Sequence, residues 1–584
     1  MGFARQLDLH NLFGWCMYAL LAVMTAIGLG NRLLAYAARR GTVTWTGNLL
    51  EPWPRLYAWY RRYIGTPAMM GYRNAQPWGI LTIPTRLQAI LVAIYVTLNV
   101  VMGCYGYDTF ENNMFWLGRQ DLQLARYVAD RTGIMSFYNM VLLWLLAGRN
   151  DIILWLTGWS YPSLNLFHRW TARVAVVQGL VHSAGYAYLK WGKFWPMMRE
   201  RYWWSGVYGM LAMGALIPLS ILPFRRYAYE AFLLLHIGLS AAFLALMCIH
   251  TDMFGYDPFV WLCVGIWLFD RVLRLLRVVV LSYRTLGARN AVGVVTAIEP
   301  GLMRLSVDTS VPITPRPGDY YFLYSPHSLT PWENHPFTLA SWEKRRDRTT
   351  LHFLIAPQAG WTWRLRRRIE AATLKGGESA PLVTAPEARL RVLLEGPYGT
   401  RDPIDEYDHI LLLAGGSGIA AILPYVYCLG QSSDGKAKKR RISVVWTVRN
   451  AAYAADVFSN ELAPERTSHI SLDLYLTQEE PASARAFLAG LEVTLDSGYG
   501  AVNPSEVGDR ERRDVVFSKG RPPIRELLAA QIEALSGTEG SRLAVLACGP
   551  GAMMDDLRAD IADAYGSPIL QADASRLDYW LEYF

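Results

Sequence analysis

Apolar positions are distributed unevenly along the 584 residues: they crowd the first half in long unbroken runs and break into short segments in the second. Seven apolar stretches, Leu12–Leu34, Leu87–Tyr107, Met135–Leu156, Trp170–Leu189, Trp204–Leu222, Tyr229–Ile249 and Pro258–Val280, each approach the ~20 residues that a helix needs to cross a bilayer. Arg149, Asn150 and Asp151 interrupt the third. The first is long, has no small-residue cleavage site after it, and reads as a retained span rather than a secretory signal. The pattern predicts a helical membrane half followed by a soluble half.

Arginine placement predicts the orientation. Arg32, Arg39, Arg40, Arg55, Arg61, Arg62, Arg73 and Arg86 follow the first span, and Arg271, Arg274 and Arg277 follow the seventh, so these loops are expected on the cytosolic side. That places the N-terminus outside and the C-terminal half in the cytosol. Lys190, Lys193, Arg199 and Arg201 fall on the expected outer side, against the rule, where they would attract anionic chelates.

Within the fourth and sixth stretches stand His168 and His182, and His236 and His250, each pair fourteen residues apart. On an α-helix that step is roughly 21 Å of rise and about 40° short of full turns, so both imidazoles of a pair look out of one face at two depths. Coordinating side chains inside membrane helices mark function, and facing helices of a bundle hold cofactors. The spacing predicts His168 opposite His236 and His182 opposite His250, clamping two stacked haems. Two imidazoles per iron leave no open position, which suits electron relay. Arg169, Arg173 and Arg271 are candidate partners for haem propionates.

From about Ala291 the pattern changes to short β-rich runs, Val292–Ile298, Leu302–Val307, Tyr320–Tyr324 and Leu351–Ile355, separated by Pro and Gly, which suits a small antiparallel barrel. It contains His335-Pro336-Phe337-Thr338-Leu339-Ala340-Ser341, and then Gly360-Trp361-Thr362-Trp363-Arg364 ahead of a helical run. Beyond Asp408 the pattern is α/β: the buried-strand run His409–Ala414 leads into Gly415-Gly416-Ser417-Gly418, a turn whose backbone can approach phosphate at a helix N-terminus. The strand Arg441–Thr447 ends near Arg449, suited to a 2′-phosphate, and Arg542–Ala547 ends in Cys548-Gly549-Pro550. Three strand ends on one edge predict a nucleotide crevice.

The formal charge of +8 is accounted for by arginines facing anionic lipid, and no basic stretch interleaved with aromatics points to nucleic acid. The six cysteines lack Cys-x-x-Cys spacing, which argues against a zinc site or disulfide framework. The polar segments Gln431–Arg441 and Ser497–Arg513 read as exposed insertions.

Taken in order, the paired-histidine segments, Arg149-Asn150, His335-Pro336-Phe337-Thr338 with Ser341, Glu395-Gly396-Pro397-Tyr398-Gly399, Gly415–Ile419, Gly520-Arg521-Pro522 and Cys548-Gly549-Pro550 resemble the ferric reductase and NADPH oxidase superfamily, most closely its fungal ferric or metalloreductase branch. The extra first span and the Trp78–Pro84 segment favour that branch. The resemblance implies a multidomain membrane protein: an α-helical transmembrane haem bundle, then a ferredoxin-NADP reductase-like module made of an antiparallel β-barrel FAD domain and an α/β nucleotide-binding domain. The expected boundaries are 1–85 for the first helix and its cytosolic loop, 86–284 for the haem domain, 285–403 for the FAD domain and 404–584 for the NADPH domain.

It further implies that His335, Pro336, Phe337, Thr338 and Ser341 contact flavin, that Thr362 and Arg364 approach its phosphates, and that Gly415, Gly416, Ser417, Gly418, Cys548, Gly549 and Pro550 shape the nicotinamide site. Arg521 joins Arg449 as a phosphate ligand. Thr338, Cys548 and the C-terminal Phe584, an aromatic cover for the flavin, are the residues expected at the reacting atoms. The expected activity is electron transfer from cytosolic NADPH through FAD and two b-type haems to an external ferric chelate or cupric ion, in the plasma membrane. The alternatives are a superoxide-generating NADPH oxidase, with oxygen as acceptor, and a noncatalytic haem-binding partner. Ala359-Gly360 departs from the family's usual glycine pair, and the ending at Phe584 is shorter than the fungal pattern. Oligomeric state is left open.

Overall fold

A computed structural model describes residues 2–39, 53–71, 83–287, 293–298, 302–325, 333–358, 360–375, 387–431, 440–449, 451–462, 470–483, 515–538 and 540–583. Phe584, residues 78–82 of the Trp78–Pro84 segment, and nearly all of both expected insertions lie outside them. The chain divides into two compact units: one of Met1–Pro52, Ala68–Met70 and Gln76–Leu273, the other of Trp53–Pro67, Gly71–Ala75 and Arg274–Phe584.

The first unit is a helix bundle. Its long helices are α1 (Gly2–Arg39), α3 (Arg86–Cys104), α4 (Gln120–Leu145), α6 (Tyr161–Leu189), α8 (Arg201–Leu219), α10 (Tyr229–Thr251) and the start of α11 (Asp257–Gly287), with α2 (Pro54–Tyr60) belonging to the other unit and the short α5 (Ile152–Thr157), α7 (Phe194–Met197) and α9 (Leu222–Tyr227) between them. Each expected span has its helix. Among the described residues, Asp8–Ala37, Arg86–Cys104 and Tyr229–Thr251 are long and apolar enough by composition to cross a membrane.

The third span is displaced from its expected position. Met135–Leu156 is not one helix: α4 ends at Leu145, and Asp151 caps the separate α5 by accepting from Ile153 N at 2.7 Å. Asp270 of α11 accepts from the backbone of Arg149 at 3.1 Å and of Asn150 at 3.0 Å, which fixes the turn between them. The helix instead extends backward through Arg126, Asp130 and Arg131, whose charges hid it from an apolar pattern. Their groups are matched internally: Arg126 Nε lies 2.7 Å from Asp130 Oδ2, Tyr186 OH donates to Asp130 at 2.5 Å, and buried Arg131 lies over the Tyr107 ring at 3.8 Å.

Tight helix contacts rest on small residues. A Cβ at Gly179 would stand 2.8 Å from Met213, and one at Gly209 would stand 2.4 Å from Met247. Between α3, α4 and α6 a closed polar network ties Asn139 Nδ2 to Asn99 and Gln178 at 2.8 Å each, with Tyr95 OH donating to Asn139 at 2.6 Å. Every member is buried and bonded, as a polar group inside a bundle requires.

The second unit has two lobes. In the first, strands β1 (Gly293–Ile298), β2 (Leu302–Asp308), β3 (Tyr320–Tyr324), β4 (Asn334–Lys344), β5 (Thr349–Ile355), β6 (Glu387–Leu390) and β7 (Leu393–Tyr398) form one antiparallel sheet in the order β6-β1-β2-β5-β4-β3-β7. Alternating Val295, Leu305, Val307, Leu351, Phe353 and Ile355 fill its core together with α12 (Trp361–Lys375) and Leu281 from the end of α11. In the second lobe, β8 (His409–Gly415), β9 (Arg441–Val448), β10 (Ile470–Leu476), β11 (Val515–Lys519), β12 (Leu543–Gly549) and β13 (Leu577–Tyr583) lie parallel in the order β11-β10-β9-β8-β12-β13, with α13 (Ile419–Gln431) and α14 (Ala451–Asn460) among the flanking helices.

The lobes share a core cluster that includes Leu302, Ala340 and Leu354 from the first and Ile410, Leu423 and Trp446 from the second. A polar joint reinforces it. Arg304 of β2 pairs with Asp456 and, at 2.7 Å, with Glu461.

Candidate functional site

In the bundle, one helix carries each histidine pair: α6 holds His168 and His182, and α10 holds His236 and His250. The rings meet as the spacing predicts, His168 facing His236 with centroids 6.4 Å apart and His182 facing His250 at 6.2 Å. Each ring is anchored through Nδ1. His168 reaches Leu143 O at 3.0 Å, His182 reaches Ala129 O at 2.8 Å and His250 reaches Tyr202 O at 2.7 Å. His236 pairs with Ser220 Oγ at 3.1 Å.

A carbonyl oxygen only accepts, so three of these imidazoles carry their proton on Nδ1 and turn the Nε2 lone pair toward the opposite ring. Glycines make the close approach possible: a Cβ at Gly133 would lie 2.4 Å from His182 Nδ1, and one at Gly206 would lie 2.7 Å from His250 Cε1. A metal centred between two imidazoles, with bonds of about 2.1 Å and ring radii of about 1 Å, separates the centroids by about 6.2 Å. The residues therefore fit an iron held from both sides, at two levels.

Near the lower-numbered pair, Arg169, Arg173 and Arg225 are in mutual electrostatic contact, and Arg225 also acts on His236. Three cations gathered there make a positively charged patch beside His236. Arg225, on α9 just ahead of α10, escaped sequence reasoning because nothing local distinguishes it from a headgroup-facing arginine until the fold sets it beside Arg169 and Arg173. Arg271 Nε lies 3.7 Å from Asp270 Oδ2.

On the antiparallel lobe, β4 carries His335, Pro336, Phe337, Thr338 and Ser341, of which Pro336 pairs with Phe322 of β3 and Thr338 with Tyr320. The His335 ring stacks on Trp361 with centroids 5.8 Å apart, and Phe337 meets the same indole at 5.8 Å. Burial lowers the pKa of His335, so it is neutral near pH 7. Ser341 Oγ donates to Glu461 Oε1 at 2.7 Å and so belongs to the joint between lobes. Thr362 exchanges hydrogen bonds with Gln358, and Arg364 donates to buried Glu333 at 2.5 Å.

The Glu395–Gly399 turn closes over the end of α11. Fully buried Glu395 lies 3.0 Å from Arg274 Nε and accepts from Tyr398 OH at 2.7 Å and from Tyr324. Desolvation here is offset by the guanidinium and two phenols, the condition under which a buried carboxylate is tolerated.

On the parallel lobe, every strand points its C-terminus to one edge. Gly415 through Gly418 leave β8, and a Cβ at Gly418 would stand 2.3 Å from Cys548 O. Cys548, Gly549 and Pro550 leave β12 beside them; a Cβ at Gly415 would stand 2.6 Å from Pro550. Ser417 lies in the turn that starts α13. The two loops thus touch backbone to backbone and leave amide groups at a helix start, a form suited to a pyrophosphate. Exposed Arg449 follows β9 and exposed Arg521 follows β11, two strands away, roughly 10 Å across the sheet.

Cys548 is buried, and its burial raises the thiol pKa well above the usual range, so the sulfur is a neutral thiol. Glu582 on β13 stands in register with it. Asp402, next to Tyr425 and within reach of Glu582, is pushed up to about 7, chiefly by burial. Glu582 was missed because a single carboxyl in an unremarkable segment gains meaning only when strand pairing sets it beside Cys548.

A helical bundle with inward-facing histidine pairs, joined to an antiparallel lobe and a parallel nucleotide lobe, defines a membrane-bound oxidoreductase with FAD and a nicotinamide nucleotide as cofactors. Domain descriptions agree along the chain: ferric reductase like transmembrane component over residues 132–247, FAD-binding domain over 293–402 and ferric reductase NAD binding domain over 407–562. In this order the three matches resemble the parts of a ferric reductase. It is 28% identical to ferric/cupric reductase transmembrane component 2 of Saccharomyces cerevisiae over 598 residues, covering 100% of this chain and 78% of the yeast protein. Ferric reductase transmembrane component 3 of the same yeast is 29% identical over 548 residues, covering 91% and 72% of the two chains. Ferric/cupric reductase transmembrane component 1 of Candida albicans is 28% identical over 524 residues, covering 85% and 64%.

Proposed function

We propose that this protein is an NADPH-dependent ferric-chelate reductase of the plasma membrane, its nucleotide lobe in the cytosol and its metal substrate outside, with cupric ion as a second acceptor. The residues would hold FAD and two b-type haems, which when bound would supply hydride acceptance and single-electron relay across the bilayer.

The chain's own residues prepare each stage. Arg449 and Arg521 hold the 2′-phosphate, the glycine turns seat the pyrophosphate, and the neutral thiol of Cys548 with Glu582 shapes the nicotinamide pocket. Thr338 and the His335–Trp361 stack form the flavin surface, with Thr362 and Arg364 at its phosphate end. His168 and His236 hold the inner haem and His182 and His250 the outer one, while Arg169, Arg173 and Arg225 balance propionate charge. With two imidazoles facing each other at each level, a bound haem would relay electrons rather than bind the acceptor at its iron. Lys190, Lys193, Arg199 and Arg201 supply an electropositive entry for an anionic chelate.

The observation that carries this reading is the facing of four Nδ1-anchored imidazoles in two pairs. Its test compares NADPH oxidation by the purified, cofactor-loaded protein in two samples, one anaerobic with ferric chelate and one aerated without. Rapid anaerobic ferrous formation with little aerobic turnover is expected; fast aerobic turnover yielding superoxide would make the protein an oxidase instead.

A further inference from the structure

The segment Trp53–Pro67 lies in sequence between α1 and α3, yet it is part of the compact unit formed by Arg274–Phe584. Its residues are those of a docking element. Pro54 occupies the first turn of α2, Tyr57 and Ala58 are buried, and the helix packs on the segments Pro568–Ala572 and Ala574–Arg576. A π-helical turn, Arg61–Gly65, follows and packs on the helix Gly551–Ala564.

Arg61 is the centre of this contact. Its Nε donates to Tyr565 OH at 2.9 Å, and Nη2 lies 3.6 Å from Asp578 Oδ1. Its guanidinium stands 4.7 Å from the ring centroid of Tyr579, 5.2 Å from that of Tyr565 and 5.7 Å from that of Tyr57. Three aromatic faces and a carboxylate around one planar cation are a site that arginine fits and lysine does not. Five residues on, buried Thr66 accepts a hydrogen bond from Tyr579 OH at 3.0 Å. Asp578 is also bound by Tyr407 OH at 2.6 Å and lies 3.5 Å from Arg542.

Asp578 and Tyr579 open β13, the edge strand of the parallel sheet. An edge strand is paired on one side only, so its seating depends on what holds its ends. At the other end of β13, Glu582 pairs with Cys548 and Tyr583 with Gly549, four or five residues and roughly 16 Å from the clasp. Glu582, which flanks Cys548 at the proposed nicotinamide pocket, thus stands on a strand whose start is gripped by a segment that lies in sequence between two long helices.

We propose that Trp53–Pro67 is a strap that seats β13, and that Arg61 is a positioning residue for the nicotinamide nucleotide, acting through Asp578 and Tyr579. The proposal rests on the reading of that sheet edge as the nucleotide site. The strap makes nucleotide binding depend on a part of the chain that carries no nucleotide motif. It also gives each lobe its own fastening, because Arg274, Leu281 and Ser282 of α11 are built into the antiparallel lobe, with Ser282 Oγ accepting from Leu394 N at 2.9 Å.

The test uses full-length protein loaded with haem and FAD, in the native form and with Arg61→Ala, Arg61→Lys or Tyr579→Phe. NADPH is mixed anaerobically and flavin bleaching is followed across nucleotide concentrations, with FAD content and the haem spectrum as controls. Arg61→Ala is expected to raise the NADPH concentration for half-maximal bleaching about tenfold with both controls unchanged, a loss in the range that small displacements of a bound substrate produce. Arg61→Lys recovers part of it, and Tyr579→Phe gives a smaller shift of about twofold, as loss of one hydrogen bond to a neutral partner does. An Arg61→Ala protein with full FAD content and native nucleotide dependence overturns the strap. Should that variant not accumulate, native behaviour in both Arg61→Lys and Tyr579→Phe overturns it equally. Failure of the native protein to bleach with NADPH would instead overturn the nucleotide-site reading beneath it.

Discussion

The histidine bundle and the nucleotide edge solve the problem of holding a cofactor in opposite ways. In the bundle the holding atoms are side chains, and the backbone serves them: carbonyls of Leu143, Ala129 and Tyr202 fix the ring tautomers that free Nε2. At the nucleotide edge the holding atoms are the backbone itself, and side chains serve by being absent, as at Gly415 and Gly418. A side-chain site tolerates change in its surroundings and fails when a ligand is lost. A backbone site fails when anything is added.

The sharpest way to break this contrast is to remove a ligand. Replacing His182 or His250 by Ala should lower the haem content from two per chain to one and reduce external ferric reduction by at least ~100-fold, leaving flavin reduction by NADPH intact. A chain that keeps both haems would show the pairing to be wrong. Gly418→Ala should do the reverse, because its Cβ meets Cys548 O at 2.3 Å and backbone cannot yield. Overpacking of this kind costs about 1–3 kcal/mol, roughly 5- to 150-fold in nucleotide affinity, with the haem spectrum unchanged.

Gly133→Ala sharpens the comparison from the bundle side. Its Cβ would meet the His182 ring at 2.4 Å, so the redox potential or spectrum of one haem should shift while the other stays, as read in a potentiometric titration. Replacing Arg449 by Ala should cut the preference for NADPH over NADH by about tenfold through loss of one charged contact, with turnover on NADH retained. An unaltered ratio would transfer the phosphate role to Arg521.

The smallest effect concerns pH. Asp402 titrates at about 7 in the folded chain and near 3.8 unfolded, so between those values the folded state holds a proton that the unfolded state has released. Stability therefore falls as pH rises through that window and levels above it. Asp402→Asn should flatten the decline in melting temperature of the loaded protein between pH 5 and 7; an unchanged slope would place the titration elsewhere.

Strands were legible where a periodic pattern met a clear boundary, as in β3, found at Tyr320–Tyr324 as expected, and β8, which extends the run His409–Ala414 by one residue. The third membrane helix was misplaced because Arg126, Asp130 and Arg131 read as loop residues until their partners on other helices are seen. Ser341 was assigned to flavin by resemblance, and its hydroxyl is engaged with Glu461 across the lobe joint, 120 residues away. Arg61 counted as one more cytosolic charge, and two of the three tyrosines around it, Tyr565 and Tyr579, come from about 500 positions later.

The sequence by itself determined what is periodic or local: the helix-forming stretches, the fourteen-residue rungs of the histidine pairs, the glycine turns after apolar strands. Helical pitch and strand alternation convert spacing directly into shared faces, and no other part of the chain is needed to read them. Tertiary structure alone decided which carbonyl fixes each imidazole, which cations gather beside His236, how Glu582 reaches Cys548, and where the Trp53–Pro67 strap is fastened. These depend on the pairing of segments far apart in the chain, and the energy of such contacts comes from burial and geometry that no local pattern encodes.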